Sequence, residues 1–424
     1  MYRSVTFIIF LAGSALLIFT YNNVYQPPHV QHKHTYSVDT SGGNKGRIIK
    51  VVNLNNKGTG SLRWAVEQSG ARKIVFEVGG VIDLDRKSIK ITEPFISILG
   101  ETAPSPGITL IKGGVRVTTH HVNISHMMIR PGDAGQEKRS GWNPGGITIY
   151  GEHARDILID HCSITWAVDD NVAVSGPPDL GPEKTSGRVI IRNSIIAEGL
   201  SDSSHPKGPH SKGMLVHNNA QNVSVINNLF AHNTAGNPYF KANTIGVIKG
   251  NIIYNPKRNA IQLSAVKPTL ESPPPKLSIV SNLLIHGNDT KPKLNLVRKH
   301  GLLYLNDNHV AKDAAGHPIG ETWDGMGYLL KMPIVHQDGI DLLDTTIQDD
   351  FCQILNQAGA RPWDPNDIDL RIKKSVLDRS GKIIDSQNDV GGYPKYQPTQ
   401  QVFMSQILTT NNFEAKVLCQ TSKI

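Results

Sequence analysis

The chain has 424 residues, enough for two or three ordinary domains or for one repetitive domain that grows along an axis. Aromatic residues make up only 6% and glycine is plentiful at 39 residues, which disfavours a helical bundle and favours a turn-rich β architecture. The net charge of +8 favours a polyanionic partner, and since no basic block is interleaved with aromatic residues, we expect no nucleic-acid partner.

The N-terminal segment has the build of an export signal. Arg3 precedes an apolar run from Val5 to Phe19, which is short for a membrane span of about 20 residues. No small-x-small cleavage site follows, so an uncleaved membrane anchor remains the alternative to a cleaved signal peptide. We predict a signal peptide or membrane anchor over residues 1–20, a polar linker over residues 21–46, and a secreted or cell-envelope location.

Residues 47–110 have the pattern of a capped β structure. Strand-like pieces at Ile48–Val52 and Lys73–Val78 flank Ser61–Ser69, which we predict as a short helix. A stack of coils needs such a cap, because a bare terminal coil exposes apolar core and unpaired strand edges. We therefore expect an N-terminal capping helix.

One short template recurs through the middle of the chain: alternating β-branched residues, a polar pair around Asn or His, then two or three apolar residues. The copies are Val122–Ile129, Ile157–Ile164, Val189–Ile196, Val223–Phe230, Ile245–Ile252, Leu277–Leu284 and Leu302–His309. The alternation places Val and Ile in a continuous core, and Asn tolerates the left-handed conformation of a tight bend, where it can stack on the next coil. The pattern predicts an all-β fold, a parallel β-helix over residues 47–310.

The pattern fades beyond residue 310. Asp349–Gln357 is predicted as helical, and we expect residues 311–424 to form an irregular extension packed outside the coils. The cysteines Cys162, Cys352 and Cys419 lack the spacing of a zinc site, so Cys162 is predicted to be a buried small hydrophobe. Whether Cys352 and Cys419 pair is left open by the sequence.

A series of short motifs runs in order along the chain: Gly58–Ala65, Val75–Ile82, Leu99–Pro104, Ile129–Asp133, Ile159–His161, Gly208–Leu215, Leu229–Asn233, Asn237–Pro238, Gln357–Ala360 and Gly391–Pro394. Together they resemble polysaccharide lyase family 1, the pectate lyases. The resemblance implies a right-handed parallel β-helix that binds an acidic polysaccharide such as polygalacturonate. It also implies Ca²⁺ and cleavage by β-elimination.

The resemblance assigns three acidic residues to Ca²⁺. Asp160 matches the Asp of the family's Asp-His motif, and Asp169 and Asp170 fall where the family has its next acidic ligand. In a coiled fold their spacing can bring them to a common face together with Lys212. On the residues alone, Asp160 is equally compatible with a turn cap and the Asp pair with a solvated loop. The family's additional Asp is absent, since residues 143–146 read Asn-Pro-Gly-Gly.

A second group of residues is predicted to bind and process the sugar. Lys212 matches the lysine that holds the substrate carboxylate, and His210 precedes it in the same motif. His205 and Lys207 lie in the same loop and are predicted to line the groove. For Lys212 the alternative is a surface lysine that solubilises the loop, and for His210 it is a structural residue with satisfied hydrogen bonds.

The family's base is an arginine, and this chain has Gly236 at that position. Lys241 stands at the motif's second arginine and retains the charge, although not the planar fork. We predict that Lys241 or His232 supplies the base, with Lys212 as the third catalytic residue. Both residue types act as bases where the surroundings tune their pKa.

Three functions remain open on the sequence. The first is a calcium-dependent pectate-like lyase, and the second is a weakly active or non-catalytic glycan-binding protein, suggested by Gly236. The third is a β-helical hydrolase, which needs paired carboxylates about 5–9.5 Å apart. We expect a monomer in each case.

Overall fold

The computed structural model describes residues 34–264, 273–298, 300–311, 327–333, 335–342, 347–404 and 414–420. The predicted signal peptide or anchor over residues 1–20 and most of the predicted linker lie outside these ranges. Within them, no helix has both the length and the apolar character needed to cross a bilayer.

The chain folds as a right-handed parallel β-helix, as predicted. Each coil passes through three long sheets in turn, and neighbours within a sheet come from successive coils and run parallel. The first sheet contains Arg47–Val51, Arg72–Phe76, Ile96–Leu99, Val122–Ser125, Arg155–Asp160, Gly187–Arg192, Gln221–Ile226, Ile245–Lys249, Lys276–Val280, Gly301–Asn306 and Gly327–Leu329.

The other two sheets complete the coils. The second sheet contains Val78–Asp83, Ile108–Ile111, Met127–Arg130, Ser163–Thr165, Ile195–Ala197, Leu229–Ala231, Ile252–Tyr254, Leu283–Ile285 and His309–Val310, with Thr399–Gln400 antiparallel at its edge. The third sheet contains Ile89–Ile91, Val115–Val117, Ile147–Tyr150, Asp170–Ser175, Lys212–Val216, Tyr239–Phe240, Ile261–Leu263 and Val297–Arg298. A separate parallel pair joins His34–Tyr36 to Val335–Gln337.

The predicted repeat corresponds to one feature of the coil. Each copy supplies a strand of the first sheet, the bend that follows, and a strand of the second sheet. Inward-facing Val and Ile residues of the three sheets form one continuous buried cluster along the axis. Period-2 alternation of β-branched residues therefore determines the core.

Buried asparagines hold the bend between the first and second sheets. The side chain of Asn251 accepts from the backbone N–H of Asn228 at 3.0 Å, and Asn282 accepts from the backbone N–H of Asn251 at 3.0 Å. The residue just before each one adopts the left-handed conformation, as in Asn227 with φ 53° and Ser281 with φ 54°. The predicted stacking of Asn from coil to coil is confirmed.

The N-terminal cap is the short helix Leu62–Val66. Ser61 begins it, and its side chain accepts a hydrogen bond from the backbone N–H of Trp64. Leu62, Ala65 and Val66 belong to the apolar cluster of the coils, so the helix closes that end of the core.

The C-terminal extension packs on the second sheet through two helices, Ile347–Gln357 and Asp367–Leu377. The first confirms the helical prediction. The second departs from the irregular extension that the sequence predicts. Its Asp369 accepts a hydrogen bond from the buried Arg130 at 2.7 Å and another from Ser163 at 2.6 Å.

A disulfide fixes the end of this extension. Cys352 and Cys419 are bonded, with their Cα atoms 5.1 Å apart, whereas Cys162 is free and buried. The remaining short elements are the 3₁₀ turns Gly100–Thr102, Pro182–Lys184 and Gln387–Val390.

The asparagine ladder generates a stability prediction. In Asn251→Ala, the backbone N–H of Asn228 and the carbonyl of Val225 lose their buried partners. Each such group costs about 1–3 kcal/mol, so we expect the free energy of unfolding to fall by about 2–6 kcal/mol in chemical denaturation. The exposed Asn44→Ala is the matched control. Equal effects of the two substitutions would contradict the role of the ladder.

Candidate functional site

The candidate site lies where the third sheet begins on two successive coils. Asp170 is the first residue of its strand and Lys212 is the first residue of the next strand in that sheet. The parallel register sets Asp170 opposite Lys212. The strand pairing therefore holds a carboxylate and an ammonium one coil apart.

Asp170 is a buried carboxylate whose negative charge is poorly offset by neighbouring groups. It is 5% exposed, its Oδ1 has no hydrogen-bond partner, and the Nζ of Lys212 lies 3.9 Å from that oxygen. Burial, with Asp169 next to it, raises the pKa of Asp170 from 3.8 to about 6. The ammonium of Lys212 is the nearest positive charge that offsets this cost.

Two stacked imidazoles lie beside Asp169, whose side chain is 40% exposed. The Nε2 of His210 lies 2.9 Å from Oδ1 of Asp169, and the Nε2 of His205 lies 3.9 Å from the same atom. The two rings are parallel within 6° and their centroids are 3.9 Å apart. Burial acts against ionisation of Asp169, but His210 and Lys212 lower its pKa below the usual value.

Asp169, His205 and His210 lie close enough together to hold one metal ion, with ligand atoms within 4.8 Å of one another. The hydrogen bonding of His205 bears on this possibility. The backbone N–H of Lys207 donates to Nδ1 of His205 at 3.1 Å, so in the neutral ring the proton lies on Nε2. A ring nitrogen that carries a proton cannot coordinate a metal. In this arrangement His205 instead directs an N–H toward the carboxylate.

Lys241 lies one coil beyond Lys212, directly after the strand Tyr239–Phe240. Its Nζ lies 3.2 Å from Nε2 of His217, which accepts a hydrogen bond from the ammonium. Burial, and then the charge of Lys212, lowers the pKa of Lys241. The site therefore carries a lysine that loses its proton more readily than an exposed one.

Gly236 lies beside Lys212. It has φ +68°, and a Cβ built on it would lie 3.7 Å from Cβ of Lys212 and 3.1 Å from the carbonyl oxygen of Met214. A side chain at position 236 would thus start next to Lys212. Its left-handed backbone is a conformation that other residues adopt elsewhere in these coils, for example Asn227.

A chain of buried amides lies beneath the site. Asn171 donates to Oδ1 of Asn233 at 3.3 Å, and Asn233 donates to Oδ1 of Asn237 at 3.0 Å. The first bond links two coils and the second lies within one turn, and together they hold the backbone beside Asp170 and Gly236.

Asp160 requires a correction. We expected it to share a flank with Asp169 and Lys212, but it ends a strand of the first sheet and its oxygens are occupied by other side chains. Arg192 donates two hydrogen bonds at 2.9 and 2.7 Å, Asn193 donates one at 3.0 Å, and His161 lies 2.8 Å away. The Asp-His bend joins the first and second sheets, whereas Asp169 stands at the start of the third.

His232 also requires a correction. It is 1% exposed and lies under the C-terminal extension, where its Nε2 is 2.8 Å from Oγ of Ser375. Its Nδ1 accepts a hydrogen bond from Asn255 at 3.0 Å. With both ring nitrogens occupied inside the protein, His232 is not available to a substrate as a base.

The sequence reading gave no role to His217. His217 directly follows the strand Lys212–Val216. The parallel register places it beside Lys241, 24 positions later in the chain. The one signal in the sequence is the position of His217, directly after the strand that Lys212 begins. Of the predicted sugar-binding residues, His205 and His210 lie at Asp169, and Lys207 is exposed in the loop before Lys212.

No protein-family model matches the chain. Among curated proteins it is similar to fungal proteins named probable pectate lyase C. The match to the protein of Neosartorya fischeri is 32% identical over 221 residues and covers 52% of this chain, but it spans only 46% of that relative's length. The match to the protein of Aspergillus flavus is 27% identical over 371 residues and covers 84% of this chain and 79% of the relative.

Solved structures with a similar course of the chain include an alginate lyase from Paenibacillus, with 14% identity and a TM-score of 0.48. That match covers 69% of this chain and 99% of the other. A pectate lyase bound to a hexasaccharide has 13% identity and a TM-score of 0.48, and the match covers 76% of this chain and 94% of the other. Likenesses at this level carry no argument about activity.

The corrected position of Asp160 generates a prediction. Burial opposes ionisation, but His161 and Arg192 hold the pKa of Asp160 well below its usual range. Asp160→Asn should therefore lower the free energy of unfolding by about 1.5–3 kcal/mol at neutral pH. Because the folded-state pKa is depressed, this stabilisation is present above about pH 4 and is lost as the pH falls toward the folded-state pKa.

The measurement is chemical denaturation of the wild type and Asp160→Asn across acidic to neutral pH. The exposed Asp85→Asn is the control, for which we expect no pH-dependent difference. A difference between wild type and Asp160→Asn that grows as the pH falls would contradict the assignment.

Proposed function

We propose that this chain is a polysaccharide lyase that cleaves a pectate-like polyuronate by β-elimination. The observation that carries the proposal is the pair of lysines on consecutive coils: Nζ of Lys212 lies 3.9 Å from the buried Asp170, and Nζ of Lys241 lies 3.2 Å from Nε2 of His217. The named fungal relatives support the same class of substrate.

β-Elimination beside a uronate carboxylate makes two demands. The C5 proton is weakly acidic, so negative charge that develops on the carboxylate must be stabilised, and a base must reach the proton. Lys212 is proposed to meet the first demand. Its side chain is 28% exposed, so the ammonium is open to a sugar carboxylate while Asp170 holds it from below.

Lys241 is proposed to meet the second demand. Its lowered pKa increases the fraction of free amine, and His217 fixes the position of Nζ. The Nζ lone pair takes the C5 proton, and the C5–H electron pair forms the C4=C5 double bond. The C4–O bond breaks, and the leaving oxygen keeps its electron pair and takes a proton from water.

Calcium is implied by the resemblance, and the site offers carboxylate donors. Ca²⁺ takes six to eight oxygen ligands. Asp169 and Asp170 are the two predicted ligands at the site, and Oδ1 of Asp170 is a buried oxygen without a hydrogen-bond partner, whereas Asp160 is occupied elsewhere. Asp169 and Asp170 would therefore hold the ion, which would add positive charge beside the uronate carboxylate, and the steps of the proposed reaction are carried by the lysines.

A second candidate function rests on Gly236. Without a side chain at the family's base position, the chain would bind acidic glycans with weak or no turnover. Retention on a polyuronate matrix without unsaturated product would favour this candidate over the lyase. The proposed setting for either function is extracytoplasmic, as a monomer, with the N-terminal segment as signal or membrane anchor.

The lyase is tested by the ultraviolet absorbance of the C4=C5 unsaturated product with polygalacturonate as substrate. Lys212→Met should lower kcat by about 10²–10³-fold, because the charge that stabilises the transition state is removed. Lys45→Met, at an exposed position far from Lys212 in the sequence, is the matched control and should leave the rate unchanged. The absence of product from the wild type on several polyuronates would refute the proposal.

Gly236→Arg tests how far the missing side chain limits the rate. Because Cβ at position 236 starts beside Lys212, the guanidinium can extend over the same site. We expect a gain in kcat of about tenfold or more, toward the 10²–10⁴-fold that positioned bases contribute. Gly236→Met is the control, because it places a side chain without charge on the same left-handed backbone and therefore causes a similar backbone strain. Equal activities of the two variants would show that Lys241 alone suffices.

A further inference from the structure

The outer face of the third sheet carries positive charge at a distance from Lys212. The parallel register sets Lys90 of the strand Ile89–Ile91 opposite Arg116 of the strand Val115–Val117. The residues on either side of each are buried, so both charged side chains point away from the core. Like charges directly opposite each other on neighbouring strands are unfavourable. Among the described residues neither cation forms an ion pair with a carboxylate, so the two charges are open to an anionic ligand.

Arg116 is held in place by an aromatic ring. Cζ of its guanidinium lies 4.5 Å from the ring centroid of Tyr150, the last residue of the next strand in the sheet, Ile147–Tyr150. A guanidinium over an aromatic face is attracted to the ring, and its N–H donors stay available because they lie in the plane of the group. Arg116 is therefore a preorganised donor for a planar anion such as a carboxylate.

Tyr150 shares a row with residues of the candidate site. Successive strand pairings of the third sheet place it in the same row as His217 and Lys241. The strand of Arg116 lies three strand spacings from the strand of Lys212, which is about 14 Å along the coils. The Arg116–Tyr150 pair and the lysines of the site therefore lie along one line of the sheet.

The surface between these two positive regions is open. The two intervening strands present Thr148, Ala173 and Ser175 there, which are small and partly exposed. The C-terminal extension packs on the second sheet, and the strand Val335–Gln337 packs on the first. A polymer can therefore lie along the third sheet across these coils.

We propose that Arg116, seated on Tyr150 and supported by Lys90, binds a second carboxylate of the polyuronate chain that places another carboxylate at Lys212. The proposal rests on the proposed function for its class of substrate, and it adds a minimum length. A pyranose ring with its glycosidic oxygen is about as long as one strand spacing, so three spacings correspond to about three sugars. A chain of about four or more sugars reaches both regions, whereas a trimer reaches one. Tyr150 is a positioning residue that acts through Arg116.

The first experiment measures the Kd of galacturonate trimer and hexamer for the full chain by isothermal titration. We expect the hexamer to bind more tightly than the trimer, and Arg116→Gln to weaken hexamer binding by about tenfold, as for one hydrogen bond to a charged group. Arg47→Gln, at an exposed position of the first sheet, removes the same charge and is the matched control with a wild-type Kd. Equal hexamer Kd values for the two variants, or no hexamer binding by the wild type, would overturn the proposal.

The methyl-esterified hexamer tests whether the contact is to a carboxylate. This probe has the same length without the negative charges, so Arg116→Gln should not weaken its binding. A tenfold loss with the esterified hexamer as well would show that Arg116 contacts a neutral group, contrary to the proposal.

Two variants of Tyr150 test its positioning role. Tyr150→Phe keeps the ring under the guanidinium and should bind the hexamer as the wild type does, whereas Tyr150→Leu should bind it about threefold more weakly. Chemical denaturation of both variants checks that they are folded. Equal hexamer Kd values for Tyr150→Phe and Tyr150→Leu would refute the role of the ring.

These titrations do not depend on turnover, so the subsite and the lyase can fail separately. Hexamer binding that depends on Arg116, without any unsaturated product, would support the subsite and refute the lyase. Formation of unsaturated product from the hexamer with the same KM in the wild type and Arg116→Gln would support the lyase and refute the subsite.

Discussion

The parallel register of successive coils is the constraint on which the rest of this structure depends. Residues that are far apart in sequence take equivalent positions one strand spacing apart, so each side chain meets its counterpart on the next coil. The same register aligns the apolar residues of the core, the asparagines of the ladder and the residues of the site. Asp170 meets Lys212, and His217 meets Lys241, because the third sheet pairs their strands.

Electrostatics at the site follow from this stacking in a partly buried place. Burial makes the charge of Asp170 costly, and Lys212 lies close enough to offset part of that cost. The same burial makes a second ammonium, Lys241, easier to deprotonate. One environment thus favours one charged lysine beside a carboxylate and one lysine that gives up its proton, which is the division of roles that the proposed elimination requires.

The C-terminal extension explains several motifs that resemble the lyase family but lie away from the site. Arg130 and Asp133 hold the helix Asp367–Leu377 and Gln387 of this extension, and the disulfide secures its end. His232 is buried under the same segment. Such residues maintain the covering of the second sheet, so their presence in the sequence carries information about the fold and none about the reaction.

The sequence by itself determined the coils, since β-branched alternation and a recurrent Asn bend are local patterns with one physical interpretation. It also predicted the capping helix, the helix near residue 350, and the region of the site around Asp169, Lys212 and Lys241. It did not determine which acidic residues meet. The spacing from Asp160 to Asp169 is compatible with a shared face. In the fold, however, the chain passes through the second sheet between these two residues, and Arg192 of the next coil donates hydrogen bonds to Asp160. Those contacts, like the one between His217 and Lys241, join residues 24 to 32 positions apart. They depend on the length of each inserted loop and on the register of each strand, which only the tertiary structure fixes.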